Sequence, residues 1–213
     1  MHELEGIRKE YAKASLDVKN VSTDPIEQFN RWFSEALASA VPEPNAMSLA
    51  TVGADLRPSC RIVLLKGVER NQFVFYTNHQ SHKGKSLEAN PVCALTFFWP
   101  ELERQVRIEG TVTRIEDDRA EAYFQSRPFG SQVGAWSSPQ SSIIDNREIL
   151  DERVKQITKR FEGATKLPKP KQWGGYQVAP LMIEFWQGRP SRLHDRIAFT
   201  LVDGKWQRHR LAP

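Results

Sequence analysis

No stretch of the sequence approaches the roughly 20 consecutive apolar residues that a membrane helix needs. Residues 1–5 lack the basic and apolar regions of a signal peptide. The balance of 39% apolar and 26% charged residues is typical of globular proteins, and 213 residues suffice for a domain with a buried core. We therefore expect a soluble cytoplasmic protein with no membrane partner.

Cysteine is scarce, since Cys60 and Cys93 are the only two. Both stand in apolar runs, which favours small buried hydrophobic residues over a disulfide or a catalytic pair. Neither C-x-x-C nor H-E-x-x-H occurs, and the five histidines show no metal-ligand spacing. We expect no metal site.

Common nucleotide and hydrolase motifs are also missing. No G-x-G-x-x-G follows a predicted strand, and there is no Walker loop or G-x-S-x-G elbow. The net charge of +4 nevertheless favours anionic partners. If the protein binds phosphate, side chains must supply the contacts. The candidates are Arg61, Lys66, Lys83, Arg127, Arg192 and Arg196, with hydroxyls from Thr77, Ser131 and Ser141.

Periodicity and turn signals divide the chain into strands and helices. Asp24 as cap, Pro25 after it and an apolar face from Phe29 to Leu37 predict a helix that stops near Pro42. Further helices are predicted at 79–90, 117–125 and 143–161, and a loop at 129–140. Strands are predicted at 46–52, 59–68, 72–77, 92–99, 104–115 (with a bulge or bend at Gly110), 181–187, 197–202 and 205–210, the last two joined by an Asp203-Gly204 turn.

The strands lie mostly at hairpin-like spacing, and no βαβ alternation runs along the chain. This pattern predicts a mainly β protein, a closed or nearly closed antiparallel barrel with peripheral α-helices. We expect residues 1–22 to form an N-terminal arm and residues 23–213 to form a single domain.

The stretch Arg61–Lys66 has four branched apolar residues between two cations, which indicates a short buried strand. Taken alone, the stretch favours two solvated strand ends as the explanation of the cations, and an anionic ligand is the alternative. Because Arg61 and Lys66 are five residues apart, a regular strand places them on opposite faces, where they would serve two different anions.

Two other stretches carry candidate binding residues. Residues 184–196 contain an indole, arginines, a histidine and a carboxylate, which fit either a salt-bridged polar loop or a site for a flat, charged, aromatic ligand. Tyr123, Arg127 and Ser131 recur every four residues, although Pro128 interrupts a continuous helix. Spacing alone favours a capped helix end with solvated side chains there, and an anion site is the alternative.

Together with further short motifs, these residues resemble the pyridoxamine 5′-phosphate oxidase family, flavin enzymes that make pyridoxal 5′-phosphate. The resemblance extends from about Arg8 to Pro213 and covers nearly the whole chain. The matching stretches are Arg61–Lys66, Phe75–Asn78, Leu102–Val106, Tyr123–Ser131, Gln132–Trp136, Gln140–Ser141, Trp173–Gly175, Ile183–Gly188, Arg192–Arg196 and Arg210–Pro213.

The resemblance implies an FMN-binding antiparallel split β-barrel that forms a homodimer, with FMN in clefts at the interface. The implied FMN contacts, some of them from the partner chain, are Arg61, Ile62, Val63, Leu64, Leu65, Lys66, Tyr76, Thr77, Lys83, Gln105, Gln140, Ser141, Trp186 and Arg196. The implied substrate contacts are Arg8, Tyr11, Lys66, Tyr123, Arg127, Ser131, Arg192, Leu193 and His194.

The implied reaction is oxidation of the 4′ carbon of pyridoxamine 5′-phosphate or pyridoxine 5′-phosphate by dioxygen, which yields hydrogen peroxide and, from the amine, ammonia. Arg192 and His194 are the implied catalytic residues: Arg192 would orient and polarise the substrate, with His194 assisting. Arg8 and Tyr11 match an N-terminal segment that closes over the site in the family.

The sequence departs from the family pattern at three places. His82 stands where the family has a second basic residue, commonly Arg, which would make FMN binding weaker or more dependent on pH. Glu43 replaces a frequent Asp, and we assign no role to it. Residues 17–21 are shorter and less basic than in many relatives, so the geometry of the arm stays open.

Two alternatives remain at the level of sequence. Another split-barrel flavoprotein would act on a different small molecule, but the stretch Arg192–His194 and the phosphate candidates Tyr123, Arg127 and Ser131 argue against it. A non-catalytic basic barrel would store a ligand or bind nucleic acid. Because most aromatic residues lie in strand runs and the basic residues are scattered, we expect no nucleic-acid partner.

Overall fold

The computed structural model describes residue 6 and residues 9–213 and confirms a mainly antiparallel β fold with peripheral helices. The strands are β1 (Ala46–Val52), β2 (Pro58–Leu64), β3 (Gly67–Glu69), β4 (Gln72–Asn78), β5 (Val92–Trp99), β6 (Arg104–Arg114), β7 (Trp173–Gln187), β8 (Asp195–Val202) and β9 (Lys205–Leu211). The α-helices are α1 (Pro25–Ala38), α2 (His82–Ala89), α3 (Asp117–Ser126), α4 (Phe129–Ser137) and α5 (Glu148–Arg160).

The strands form one sheet that nearly closes on itself. Along the order β2-β1-β5-β6-β7-β4-β3 every neighbouring pair is antiparallel. The two-residue link Leu65-Lys66 then connects β2, at one end of this order, to β3 at the other. The backbone N–H of Lys66 donates to the carbonyl of Val74 in β4 (2.8 Å), which ties the two ends together. The result is a barrel held closed on one side by the chain itself.

Helix α1 packs its apolar face into the barrel. Its start is as predicted, because Asp24 accepts a hydrogen bond from the N–H of Ile26 and Pro25 occupies the first turn. The ring of Phe29 lies 4.9 Å from that of Phe73, and Trp32 lies 5.2 Å from Phe185. These rings are almost fully buried, so burial of large aromatic surface fixes the helix on the sheet.

A bulge divides β7 into two halves. Glu109 of β6 pairs with Met182 and Gly110 with Pro180, so Leu181 is an extra residue on β7. Val178 and Ile183 both point into the core although they are an odd number of residues apart. The bulge therefore reverses the alternation of faces along β7. The predicted irregularity at Gly110 is confirmed.

Several predicted strand boundaries were wrong. The predicted strand 59–68 is two strands, because the chain turns at Leu65-Lys66 from pairing with β1 to pairing with β4. The predicted strand 181–187 begins eight residues earlier, at Trp173. Cys60, predicted to be buried, is exposed, because it occupies an outward position on β2, whereas Cys93 is buried as predicted.

Two helix predictions were also wrong. The predicted loop 129–140 contains α4, which begins directly after Pro128 and buries Val133 against Phe124 and Trp173. The helix predicted from residue 143 begins at Glu148. The hairpin across Asp203-Gly204 is confirmed, with both turn residues at positive φ.

Within the described residues, no helix has the length and apolar character that crossing a bilayer would require. The same residues contain no group of three or more His, Cys, Asp or Glu side chains arranged to hold a metal ion.

We predict that Gly110→Ala destabilises the protein by about 3 kcal/mol. A Cβ at this position would lie 2.3 Å from the carbonyl oxygen of Ala179. Because the clashing atom belongs to the paired backbone of β7, it cannot move away as a flexible side chain would. Urea unfolding of Gly110→Ala and of the control Gly130→Ala measures the effect, since a Cβ at Gly130 meets no atom within 4 Å. Equal stability of the two variants would contradict the prediction.

Candidate functional site

A cavity of about 670 Å³ opens between the two ends of the sheet. Its lining residues are Arg61, Ile62, Val63, Leu64, Lys66, Tyr76, Thr77, Asn78, Lys83, Tyr123, Arg127, Pro128, Ser131, Gly134, Ala135, Ser138, Gln140 and Trp173. Four of these are cations, and no carboxylate lines the cavity in the described part of the chain. An uncompensated group of cations in a concave site is suited to a polyanionic ligand.

Arg61 is held by neutral oxygens. Its guanidinium donates to the carbonyl oxygens of Leu49 (3.2 Å) and Ser59 (3.0 Å) and to the hydroxyl of Thr51 (2.7 Å). Partial burial lowers its pKa from the ordinary value. These partners fix the side chain without neutralising it, so its charge remains available to an anion.

Lys83 lies beside Arg61 at the same end of the cavity. Its Nζ donates to Thr77 Oγ1 (3.2 Å) and Gln140 Oε1 (3.3 Å). Burial lowers the pKa of Lys83, and the charge of Arg61 lowers it further. An anion placed between Arg61 and Lys83 would relieve this repulsion. His82, the residue that departs from the family pattern, is exposed and lies outside the cavity lining.

Lys66 lines the same cavity as Arg61, so the prediction that a regular strand places them on opposite faces was wrong. The strand ends at Leu64, and the turn at Leu65-Lys66 redirects the chain before the alternation can continue. Leu65 itself is buried in the core. Whether the two cations serve different anions stays a prediction.

Aromatic rings and Arg127 line another part of the same cavity. Tyr76 stacks on Tyr123 at 4.0 Å and on Trp173 at 5.3 Å between ring centroids. Burial lowers the pKa of Arg127, and its Nη1 is buried without a hydrogen-bond partner. Ser131 follows on the first turn of α4. The structure thus brings Tyr123, Arg127 and Ser131 together across the Pro128 interruption, which favours the anion site over solvated side chains.

A second group of predicted residues surrounds a separate cavity of about 590 Å³. Tyr11, Arg192 and His194 line it, and the rings of Trp186 and His194 lie 4.6 Å apart. Leu193 is 69% exposed. The ring of Tyr11 lies 5.7 Å from that of Trp186, so these residues form one aromatic corner. Arg8 lies outside the described residues.

The surroundings of His194 favour its neutral form. The backbone N–H of Arg189 donates to Nδ1 (3.1 Å), which places the ring proton on Nε2. Desolvation lowers the pKa of His194, and the charge of Arg192 lowers it further. Ser191 and Arg192 have φ of 56° and 62°, an uncommon backbone conformation for non-glycine residues that is often found at functional sites.

Two carboxylates bind the backbone of the N-terminal arm next to this aromatic corner. Glu103 Oε2 accepts hydrogen bonds from the backbone N–H groups of Ala12 (2.9 Å) and Lys13 (3.0 Å). Asp195, next to His194, accepts from the N–H of Leu16 (3.0 Å). These contacts hold Tyr11 against the loop that carries Arg192 and His194. The pattern could not be read from sequence, because Glu103 is about 90 residues from the arm.

The remaining predicted flavin contacts divide between the two groups. Gln140 and Lys83 lie in the first cavity, and Ser141 follows Gln140 at a φ of 70°. Gln105 pairs with Trp186 in the β6–β7 ladder, and Trp186 with Arg196 in the β7–β8 ladder. The side chain of Arg196 forms a two-point ion pair with the buried Glu184 (2.8 and 3.1 Å).

The two groups lie at opposite ends of β7. Trp173 lines the first cavity and Trp186 belongs to the second group. Thirteen residues at about 3.3 Å each separate them by roughly 40 Å along the strand. In the described part of the chain the two cavities share no lining residue, so Arg192 and His194 do not line the cavity of Arg127. Trp173 was not selected from the sequence, where only its place in a matching stretch marked it.

Two family models match the chain. One, described as pyridoxamine 5′-phosphate oxidase, matches residues 33–161. The other, described as the pyridoxine 5′-phosphate oxidase C-terminal dimerisation region, matches residues 173–213.

Curated relatives match over their whole length. A pyridoxine/pyridoxamine 5′-phosphate oxidase from Burkholderia ambifaria is 53% identical over 216 residues and covers 100% of both chains. One of the same name from Chromobacterium violaceum is 54% identical over 211 residues, covering 99% of this chain and 98% of its own.

Solved structures share the fold. PhzG from Burkholderia lata, in complex with tetrahydrophenazine-1-carboxylic acid, superposes with a TM-score of 0.87 at 26% identity and covers 94% of this chain and 100% of its own. A pyridoxamine 5′-phosphate oxidase-related, FMN-binding protein from Nostoc punctiforme gives 0.71 at 19% identity, covering 90% and 99%, and supports the fold alone.

The contacts of His194 predict how it titrates. Its pKa should lie below 6.5 in the wild-type protein and should rise in Arg192→Ala, because a neighbouring positive charge is removed. Arg192→Lys is the matched control, since it keeps the charge. Histidine-selective NMR titration measures all three values without requiring turnover. The same pKa in wild type and Arg192→Ala would contradict the prediction.

Proposed function

Because the chain belongs to the pyridoxamine 5′-phosphate oxidase family, we propose that it oxidises pyridoxamine 5′-phosphate or pyridoxine 5′-phosphate to pyridoxal 5′-phosphate with FMN and dioxygen. The observation that carries the proposal is the cavity lined by four cations and, among the residues described, no carboxylate. Both the cofactor and the substrate carry a phosphate, so one cavity must accommodate at least two anionic groups. A cytoplasmic role in vitamin B6 salvage would follow.

The cavity suits FMN in size and in chemistry. Its volume of about 670 Å³ lies within the usual range of ligand sites. Arg61 and Lys83, at one end, would hold the FMN phosphate, with Thr77 and Gln140 as neutral partners. The full set of residues proposed to hold FMN is Arg61, Ile62, Val63, Leu64, Leu65, Lys66, Tyr76, Thr77, Lys83, Gln105, Gln140, Ser141, Trp186 and Arg196.

The substrate phosphate would bind in another part of the cavity. Lys66, Tyr123, Arg127 and Ser131 all line the cavity and would hold it, and the unpartnered Nη1 of Arg127 has a donor hydrogen to offer. A buried donor without a partner carries a desolvation cost, which a phosphate oxygen would offset. We propose that Arg8 and Tyr11 close over the substrate and that Leu193 contacts it between Arg192 and His194.

Arg192 and His194 would act on the substrate ring. Arg192, a permanent cation, lines the second cavity, where it would orient and polarise the ring. The neutral His194 keeps its proton on Nε2 and can donate it in a hydrogen bond to a ring substituent. Bound FMN supplies the redox chemistry, in which two electrons leave the 4′ carbon and reduce dioxygen to hydrogen peroxide.

The active protein would be a homodimer whose sites are shared. Within one chain the two groups lie at opposite ends of β7, so each Arg192 and His194 would complete the cavity of the partner. Ile62 and Phe98 are 68% and 52% exposed on the outer face of the sheet, which favours a covering partner. The match of residues 173–213 to a dimerisation region supports a second copy of this chain.

We also propose the division of the chain into an arm, residues 1–22, and one barrel domain, residues 23–213. In the described part of the arm, Leu16 and Val21 are buried in the core, whereas Tyr11 reaches the second cavity. The arm would therefore belong to the site rather than to a separate folding unit.

The purified protein should be yellow, with a flavin absorption band. Pyridoxamine 5′-phosphate should bleach the band without oxygen and should yield peroxide in its presence. Tetrahydrophenazine-1-carboxylic acid, the compound bound to PhzG, is tested in parallel as an alternative substrate. Because it carries no phosphate, it should be oxidised far more slowly. A protein that takes up no FMN, or that prefers the phenazine compound, would refute the proposal.

Shared sites predict complementation between two inactive variants. Arg127→Ala and Arg192→Ala homodimers should each lose about 100-fold or more in activity. A doubly tagged heterodimer of the two carries both substitutions in one site and none in the other, so it should regain roughly half of the wild-type rate. If each chain built its own site, every site would lack one arginine and the heterodimer would stay inactive.

A further inference from the structure

Among the cations of the cavity, Arg127 is surrounded by aromatic rings rather than by oxygen atoms. Two other arginines of the predicted site are held by oxygen atoms: Arg61 by carbonyls and hydroxyls, and Arg196 by the carboxylate of Glu184. Among residue 6 and residues 9–213, no carboxylate forms a salt bridge with Arg127. Two aromatic rings hold it instead.

These two rings, of Trp173 and Phe124, meet edge to face. Their centroids are 5.0 Å apart with an angle of 68° between the planes. The Cζ of Arg127 lies 4.9 Å from the centroid of Trp173 and 5.5 Å from that of Phe124. A guanidinium at this distance from a ring face is attracted by the electrons of the ring, and tryptophan gives the strongest such attraction.

The backbone fixes the ring of Trp173 in place. Trp173 begins β7, pairs with Asn78 and donates its backbone N–H to the carbonyl of Pro170 (2.9 Å). Gly175 then lets Tyr76 approach, since a Cβ there would lie 2.8 Å from the Tyr76 ring. Trp173 is only 7% exposed and stacks on Tyr76 at an interplanar angle of 7°. The ring is therefore a rigid platform rather than a mobile surface side chain.

Two aromatic rings and a carboxylate differ in how much of the charge and donor capacity of Arg127 they leave free for a ligand. A carboxylate would hold the guanidinium firmly, but it would cancel its charge and occupy its donors. Ring faces position the cation while leaving both its charge and its Nη1 hydrogen unused. Such a cation is preorganised for a phosphate and loses little on binding one.

We propose that Trp173 is a positioning residue for the substrate phosphate, which acts by holding Arg127 without neutralising it. The inference rests on the proposed function, because it assumes that Arg127 meets the phosphate of the substrate. It assigns to Trp173 a part in discriminating phosphorylated from unphosphorylated substrates, separate from its packing in the barrel.

The test compares Trp173→Leu and Trp173→Phe with wild type. The readout is the preference for pyridoxamine 5′-phosphate over pyridoxamine in kcat/KM, and for pyridoxal 5′-phosphate over pyridoxal in Kd. Trp173→Leu should lower both preferences about tenfold, and Trp173→Phe, which keeps a weaker ring, about threefold. General damage to the fold would slow both substrates alike and leave the ratios unchanged.

Trp136→Leu is the matched control. Trp136 also lies beneath an arginine, with Arg160 Cζ at 5.3 Å, but it is outside the cavity lining. Its removal should leave both preferences unchanged.

Three outcomes decide the matter. An undiminished preference in Trp173→Leu overturns the role of Trp173. If that variant does not fold, Trp173→Phe decides alone: a threefold loss supports the role and a full preference overturns it. A wild-type protein that binds pyridoxal 5′-phosphate no better than pyridoxal would instead refute the proposed phosphate site.

Discussion

Strand β7 is the element on which the rest of the structure depends. It pairs with β6 over its length, with β4 through its first half and with β8 through its second half. The extra residue Leu181 reverses the alternation of faces between the halves, so that Val178 and Ile183 both enter the core. The same reversal puts Trp173 and Trp186 on one face, opposite the core. Without the bulge, one of the two residue groups would lie on the wrong side of the sheet.

The distribution of charge complements this framework. Glu184 pairs with Arg107 and Arg196 near one end of β7, whereas neutral oxygens or aromatic rings surround Arg61, Lys83 and Arg127 in the cavity near the other end. Burial lowers the pKa of Arg61, Lys83 and Arg127, because a charged group loses hydration when it is buried. An anionic ligand is the simplest way to offset the cost of burying these cations. A phosphorylated cofactor and a phosphorylated substrate would each contribute one phosphate group.

Much of the fold could be predicted from local patterns. The cap at Asp24 and the Asp203-Gly204 turn are local, because a few neighbouring residues fix their geometry. The turn at Leu65-Lys66 could not be predicted, because the apolar run continues through it and only the change of pairing partner ends the strand. Helix α4 was missed for a related reason: its glycines and serines suggest a loop, and packing of Val133 on Phe124 overrides that tendency.

The sequence by itself determined the family, since motifs spread over nearly the whole chain need no coordinates to be read, and it determined the residue types available to bind phosphate. Only the tertiary structure decided how those residues are grouped. Arg61 and Lys66 meet in one cavity because the strand between them ends, and Tyr123, Arg127 and Ser131 converge because two helices meet at Pro128. Arg192 and His194 line a different cavity, near the other end of β7. Distances between residues remote in sequence depend on strand pairing and bulges, which are set by contacts across the whole barrel.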